Sequence, residues 1–153
     1  MIEIAAHHGS RDILDALFSE ADDSPSEIAA YKQLGEILVA TDNGQILGHV
    51  QMVETPERGI FEIKSIAVVE ERRSGGIGSA LLTAAIARCR DNGACLLRLA
   101  TAAASTDALK FYQRHDFRIR AVIRDFYVAD RGYAPAEYNG IPLRDEVILD
   151  LEV

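Results

Sequence analysis

The chain has 153 residues, 48% hydrophobic and 26% charged, and carries a formal net charge of −8. That length can bury a core without disulfide staples and suits one domain spanning residues 1–153. The acidity argues against nucleic-acid binding, and no apolar run reaches the roughly 18 residues a membrane span needs, so neither nucleic acid nor membrane is expected as a partner.

The opening Met1-Ile2-Glu3-Ile4 has neither a basic leader nor an apolar h-region, so no signal peptide is expected and the cytoplasm is the default location. Residues 1–6 read as a first strand. Residues 10–21 are helical, with Ile13, Leu14, Leu17 and Phe18 on one face. Ser24-Pro25-Ser26-Glu27 is a capping box with proline at the first helical position, which starts a second helix that runs to about Leu34. Strands follow over 36–41 and 45–54, joined by Asp42-Asn43-Gly44, because Asn-Gly accepts the positive φ of a tight hairpin. A turn at 55–59 leads into a strand over 60–69.

A glycine-rich stretch, 73–78, precedes a helix over 77–90 whose Ile77, Leu81, Ala85 and Cys89 are spaced for burial. Asn92-Gly93 ends it. A strand over 95–100, a helix over 106–115 and a strand from Phe117 to about Val128 come next. Residues 130–142 are irregular, and the last strand, 144–153, puts Val147, Leu149, Leu151 and Val153 on one face. The order is β-αα-βββ-α-β-α-β-β, an α/β (α+β) chain. Cys89 lies in a helix and Cys95 opens a strand, which suits buried thiols better than a disulfide. No His/Cys cluster has metal-ligand spacing, so no metal is expected.

The turn Arg73-Ser74-Gly75-Gly76-Ile77-Gly78 carries the most information. Strand, glycine-rich turn and helix together present backbone N–H groups and a helix N-terminus to phosphate. A P-loop would need Lys-Ser or Lys-Thr after its last glycine; here Ser79-Ala80 follows. A dinucleotide fingerprint would need a third glycine where Leu81 stands, and a carboxylate about 20 residues on, where 95–104 has none. What remains is R-x-x-G-x-G, whose glycines would let backbone approach a phosphate group closely while Arg73 and Arg72 would neutralise its charge. Ser74 and Ile77 add N–H groups, and Ser79 stands in the first helical turn.

This R-x-x-G-x-G turn resembles the pyrophosphate-binding turn of the GNAT acyl-CoA transferases, and residues 108–117 resemble their A-x-x-x-Y-x-x-x-G-F pattern. The resemblance covers the whole chain, most specifically Phe61 to Phe117, while the tail with Gly140 and Arg144-Asp145 resembles a bacterial subgroup. It implies the GNAT fold: a mixed, mostly antiparallel twisted sheet of about seven strands with helices on both faces. It further implies that Ile66, Ala67 and Val68 lie on a strand that bulges and splays from the next, so that free backbone groups pair with the pantetheine arm. One N–H there, of Ala67 or Val68, would polarise the thioester carbonyl. Tyr112 would meet the coenzyme sulfur and protonate the departing thiolate, or else is a core tyrosine. Two departures stand out. Asp116 replaces the expected glycine, where left-handed geometry is usual, and Ser105 replaces an asparagine that contacts pantetheine; its hydroxyl can bond the coenzyme or cap the helix.

The function so implied is transfer of an acetyl group from acetyl-CoA to a primary amine of a small molecule or peptide by direct attack. Glu62 is the candidate general base, with a surface ion pair to Lys64 as the equal alternative. Candidates for the acceptor site are Asp22, Asp23, Glu27, Tyr31, Arg124, Phe126, Tyr127 and Tyr133. The alternative from another class is a non-catalytic acyl-CoA sensor or interaction module. A homodimer is implied by resemblance alone.

Overall fold

A computed structural model describes residues 1–153. In chain order the elements are β1 (Glu3–Ala6), α1 (Asp15–Ala21), α2 (Pro25–Tyr31), β2 (Glu36–Asp42), β3 (Gln45–Glu54), β4 (Ile60–Val68), α3 (Ile77–Asp91), β5 (Leu96–Ala102), α4 (Thr106–Arg114), β6 (Arg118–Ile123), β7 (Glu137–Tyr138), β8 (Ile141–Pro142) and β9 (Glu146–Glu152). Seven strands form one sheet in the order β1-β2-β3-β4-β5-β9-β6, and β7 and β8 make a separate small hairpin. Every neighbouring pair in the sheet is antiparallel except β4–β5, which is parallel.

The strand β2 shows how one sequence serves two layers. Its Leu38 and Ala40 join the larger core with Leu81, Leu82 and Ala85 of α3, while Ile37 and Val39 pack with Leu14, Leu17, Phe18 and Tyr31 from the α1–α2 side. Helices therefore cover both faces of the sheet, as expected. The four positions of α3 spaced for burial, Ile77, Leu81, Ala85 and Cys89, are all buried. Asn43 and Gly44 have φ of 50° and 79°, the paired positive values of the β2–β3 hairpin turn.

The first helix differs from the sequence reading. The Ser10 side chain accepts from the Asp12 N–H at 3.2 Å and opens a 3-10 turn, Arg11–Leu14, before α1 begins at Asp15. The tighter winding rotates Ile13 into solvent, 68% exposed, away from the face it was expected to share. The helix α2 stops at Tyr31 rather than Leu34 because its last carbonyls are claimed from outside. Gln51 donates to the carbonyls of Tyr31 and Leu34 (2.8 and 2.9 Å), and Arg11 to those of Lys32, Leu34 and Gly35 (2.9, 2.7 and 2.7 Å). Strand β6 ends at Ile123, five residues short of the expected Val128, because Asp125 is left-handed (φ 57°) and its N–H bonds the Asp145 carboxylate at 2.9 Å. Cys89 is buried as expected, but Cys95 is exposed at the mouth of β5, and both thiols are free.

The feature that positions the site is a parting of β4 from β5. Their pairing stops at Glu62↔Arg98, although β4 continues to Val68 and β5 to Ala102. On the other side of β4 the register skips one residue: Gln51 pairs with Ser65 and Met52 with Ile63, leaving Lys64 as a bulge. The extra residue bends β4 away from its parallel neighbour and opens the sheet between them.

Candidate active site

The glycine turn fulfils its backbone geometry. Ser74 has φ of 63° and Gly76 φ of 87°, with open space around the Cβ position of Gly76. The N–H groups of residues 74–79 make no hydrogen bond within the chain; the first to do so is that of Ala80, to the Gly76 carbonyl at 3.0 Å. Six consecutive free donors at the start of α3 make a concave anion seat that fits a pyrophosphate. Gly78 leaves room for the Phe111 ring, whose nearest carbon lies 3.5 Å from where a Cβ would stand.

The side chains around the seat are already engaged. Arg73 donates to the Val68 carbonyl (3.2 Å) and to the Glu20 carboxylate (2.7 Å), and Arg72 lies 3.6 Å from Asp42. The Arg73–Glu20 pair is about half exposed at both ends, so an incoming anion displaces little stability. Ser79 hydrogen-bonds His115 at 3.0 Å. Ser105, the residue before α4, makes no capping bond, so its hydroxyl stays free toward the cavities it lines. Asp116 takes the left-handed conformation (φ 69°) that glycine would have taken, and the helix closes on it with Phe117 N–H bonded to the Tyr112 carbonyl at 3.1 Å.

Beyond the seat runs a groove of about 1290 Å³, lined by the open edge of β4, the glycine turn and α4. The Val69 N–H donates to the Leu47 carbonyl of β3 at 2.8 Å. Alternation along an extended strand then turns the N–H and C=O of Ala67 toward β3 as well, and those of Ile66 and Val68 toward the open side. In agreement, a Cβ on Gly48 of β3 would lie 2.8 Å from the Ala67 carbonyl oxygen. Both residues considered as oxyanion donors line the groove, but the Val68 N–H is turned toward it and the Ala67 N–H toward β3.

A second, smaller cavity of about 160 Å³ lies on the other side of Tyr112. Seven of the eight acceptor-site candidates line it: Asp22, Asp23, Glu27, Tyr31, Phe126, Tyr127 and Tyr133, joined by Glu62. Arg124 does not; it sits exposed after β6. Tyr31 and Tyr133 both donate to Asp22 (3.0 and 2.8 Å), and Tyr138 donates to Asp23. Gly132 (φ 86°) lets the loop carrying Tyr133 press onto the start of α2, where a Cβ would stand 2.5 Å from the hydroxyls of Ser24 and Ser26. Glu62 pairs with Lys64 at 3.5 Å, and the Lys64 ammonium lies 5.0 Å from the centre of the Tyr31 ring. The ion pair and the cavity position hold for Glu62 at once.

Sequence reasoning missed Glu146, the first residue of β9. It is 8% exposed, lines the same acidic cavity and makes neither hydrogen bond nor ion pair with its side chain. Burial pushes its carboxyl up to about 7, with Glu62 and Asp22 adding to the rise while Lys64 and Arg131 oppose it. Burial likewise raises the Tyr112 hydroxyl above the ordinary phenol range. Four residues, Ile66, Ser105, Tyr112 and Tyr138, line both groove and cavity and mark where the two meet.

A row of free N–H donors, an opened strand pair and an acidic pocket beyond it suit a two-substrate transferase. Comparison with known proteins gives the family. The sequence profile described as Acetyltransferase (GNAT) family matches residues 3–117, and the chain belongs to that family; it is an acetyltransferase. It is 32% identical over 145 residues to uncharacterized N-acetyltransferase YvbK of Bacillus subtilis, across 94% of this chain and 92% of that one. A GNAT family acetyltransferase from Elizabethkingia anophelis, solved with acetyl-CoA bound, matches at a TM-score of 0.91 and 32% identity over 99% of this chain and 98% of that one. A Bacillus subtilis acetyltransferase in complex with CoA matches at 0.90 and 29% identity over 100% and 99%.

Proposed function

We propose that this protein is an acetyl-CoA-dependent N-acetyltransferase that acetylates a primary amine of a small molecule or peptide by direct attack. The observation that carries the reading is the meeting of groove and acidic cavity at Tyr112, Ile66, Ser105 and Tyr138. A coenzyme threaded along the groove would end where an amine held in the cavity begins. Holding the two reactants together supplies about 7–11 kcal/mol of the barrier in well-oriented cases, so no acyl-enzyme is needed. Cys89 is no nucleophile: it is buried in α3, and burial pushes its thiol up to about 12.

The free N–H groups of residues 74–79, including those of Ser74, Gly75, Gly76, Ile77, Gly78 and Ser79, would hold the pyrophosphate, with Arg73 exchanging Glu20 for it. Ile66 and Val68 would pair with the pantetheine amides along the unpartnered edge of β4, and Ser105 would add a hydroxyl beside them. Bound acetyl-CoA supplies the thioester whose acetyl carbon the amine attacks. The Val68 N–H would polarise its carbonyl, a contribution of about 10²–10³ in rate for donors of this kind. Tyr112 would hydrogen-bond the departing sulfur. Five carboxylates (Asp22, Asp23, Glu27, Glu62 and Glu146) against one lysine make the cavity favourable to an amine that arrives as its ammonium.

The test is coenzyme-thiol release from acetyl-CoA across a panel of amines, amino acids, polyamines and peptides. Release with one amine class establishes the transfer and names the acceptor. Binding of acetyl-CoA with no release across the panel counts against an amine acceptor. If acetyl-CoA neither reacts nor raises the melting temperature, the reading of the glycine turn falls.

A further inference from the structure

We infer that Glu146, rather than Glu62, takes the proton from the acceptor ammonium. This rests on the amine-transfer reading above. An amine of pKa near 10 enters as an ammonium at neutral pH and has no lone pair until a proton leaves. The group that removes it must be within the acceptor cavity, uncommitted to another partner, and ionised over part of the working pH range. Glu62 meets the second condition less well, since it is paired with Lys64 at 3.5 Å while Glu146 has no partner.

Glu146 meets all three. The fold places it at the first residue of β9, in register with Ala102 of β5 and Ile123 of β6, so neither strand neighbour offers it a charge. The groups that face it come from other elements: Glu62 and Lys64 of β4, Asp22 after α1, and Arg131 of the loop before β7. Tyr112 of α4, Tyr127, Tyr133 and Tyr138 share the same cavity wall. The residue is mostly buried, yet its carboxylate has no hydrogen bond or ion pair and its oxygens stay open to the cavity rather than sealed in the core. An ammonium bound in the cavity would therefore find it without a competing partner. With a carboxyl raised to about 7, Glu146 is both ionised often enough to accept a proton and basic enough to hold it.

The protons balance. In passing from ammonium to amide the nitrogen gives up two. The first goes to Glu146 and then to water. The second leaves after the C–N bond has formed and the C–S bond breaks, and it ends on the coenzyme thiol.

The experiment compares wild type with Glu146→Gln and Glu62→Gln, using the amine that gives the fastest release, with kcat/KM followed from pH 5.5 to 9. Wild type should lose activity toward acid with an apparent pKa near 7. In Glu146→Gln, kcat/KM at pH 7.5 should fall at least 100-fold and the inflection near 7 should be lost, leaving a steady rise with pH toward the amine's own pKa, whereas Glu62→Gln should keep the inflection. The melting temperature of Glu146→Gln at pH 8 should equal or exceed that of wild type, so that lost activity is not lost folding. Activity of Glu146→Gln within threefold of wild type, a retained inflection near pH 7, or a melting temperature reduced along with activity would each overturn the assignment alone. Silence of the wild type across the whole amine panel would overturn the transfer reading and this assignment with it.

Discussion

Tyr112 occupies the boundary between groove and cavity, and its hydroxyl has no partner in the chain. Burial raises its pKa above the usual value near 10. A coenzyme thiol titrates near 8.5, so full proton transfer from the phenol runs uphill by at least about 2 kcal/mol. The hydroxyl is therefore better placed to donate a hydrogen bond to sulfur as charge develops than to hand over its proton early. Tyr112→Phe keeps the ring packing against Phe111 and Phe117, at centroid distances of 5.3 and 6.0 Å, and removes only that donor. Turnover should fall at least tenfold with coenzyme affinity nearly intact; unchanged turnover removes Tyr112 from the chemistry. The sequence drew attention to this tyrosine because residues 108–117 resemble the family's A-x-x-x-Y-x-x-x-G-F pattern. It drew none to Glu146. Strand alternation puts Val147 and Leu149 on the core face and leaves Glu146 on the other, which reads as solvent. The structure covers that other face at one end only: exposure rises along it from Glu146 to Glu152, because the loop of residues 126–143 closes over the start of β9. A long-range covering of this kind leaves no local pattern.

At the scale of elements, what could be read from sequence was whatever local sterics dictate. Asn43-Gly44, the capping serine of α2 and the glycine turn all specify backbone within a few residues, and each adopts the expected geometry. The boundaries that moved were set from a distance: α2 by Gln51 and Arg11, β6 by the Asp145 side chain. The glycine turn yields the sharpest prediction here. Gly78 lies in the helix with ordinary backbone, and an added Cβ would make only van der Waals contact with Phe111, so Gly78→Glu should fold. Its carboxylate would nonetheless stand beside six donors arranged for an anion. Coenzyme A affinity measured by calorimetry should drop at least 100-fold, with the melting temperature within a few degrees of wild type. Normal binding by this variant would remove the turn from the coenzyme site.

For the whole molecule, two buried titrating groups set the pH dependence of stability in opposite directions. His49 on β3 is fully buried against Phe18 and bonded to Ser65 at 2.8 Å, and burial pushes it down from 6.5 to about 4. The unfolded chain then binds the extra proton, so His49 makes stability fall as pH drops from 6.5 toward 4. Glu146 is raised from 4.5 to about 7, so the folded chain keeps its proton longer, and stability falls as pH rises from 4.5 toward 7. Each shift corresponds to about 3 kcal/mol over its window. Two strands, β4 and β5, lie between β3 and β9. With both strands and the opening between them in the way, the two groups are far enough apart for their effects to add. Between pH 4.5 and 6.5 the opposing slopes nearly cancel, and removing either group exposes the other. Denaturant midpoints across this range should rise with pH in Glu146→Gln, fall with pH in His49→Gln, and lose both trends in the double variant. Profiles parallel to wild type in both single variants would show that neither group is buried as the fold requires, and with it would go the placement of an ionising carboxylate in the acidic cavity.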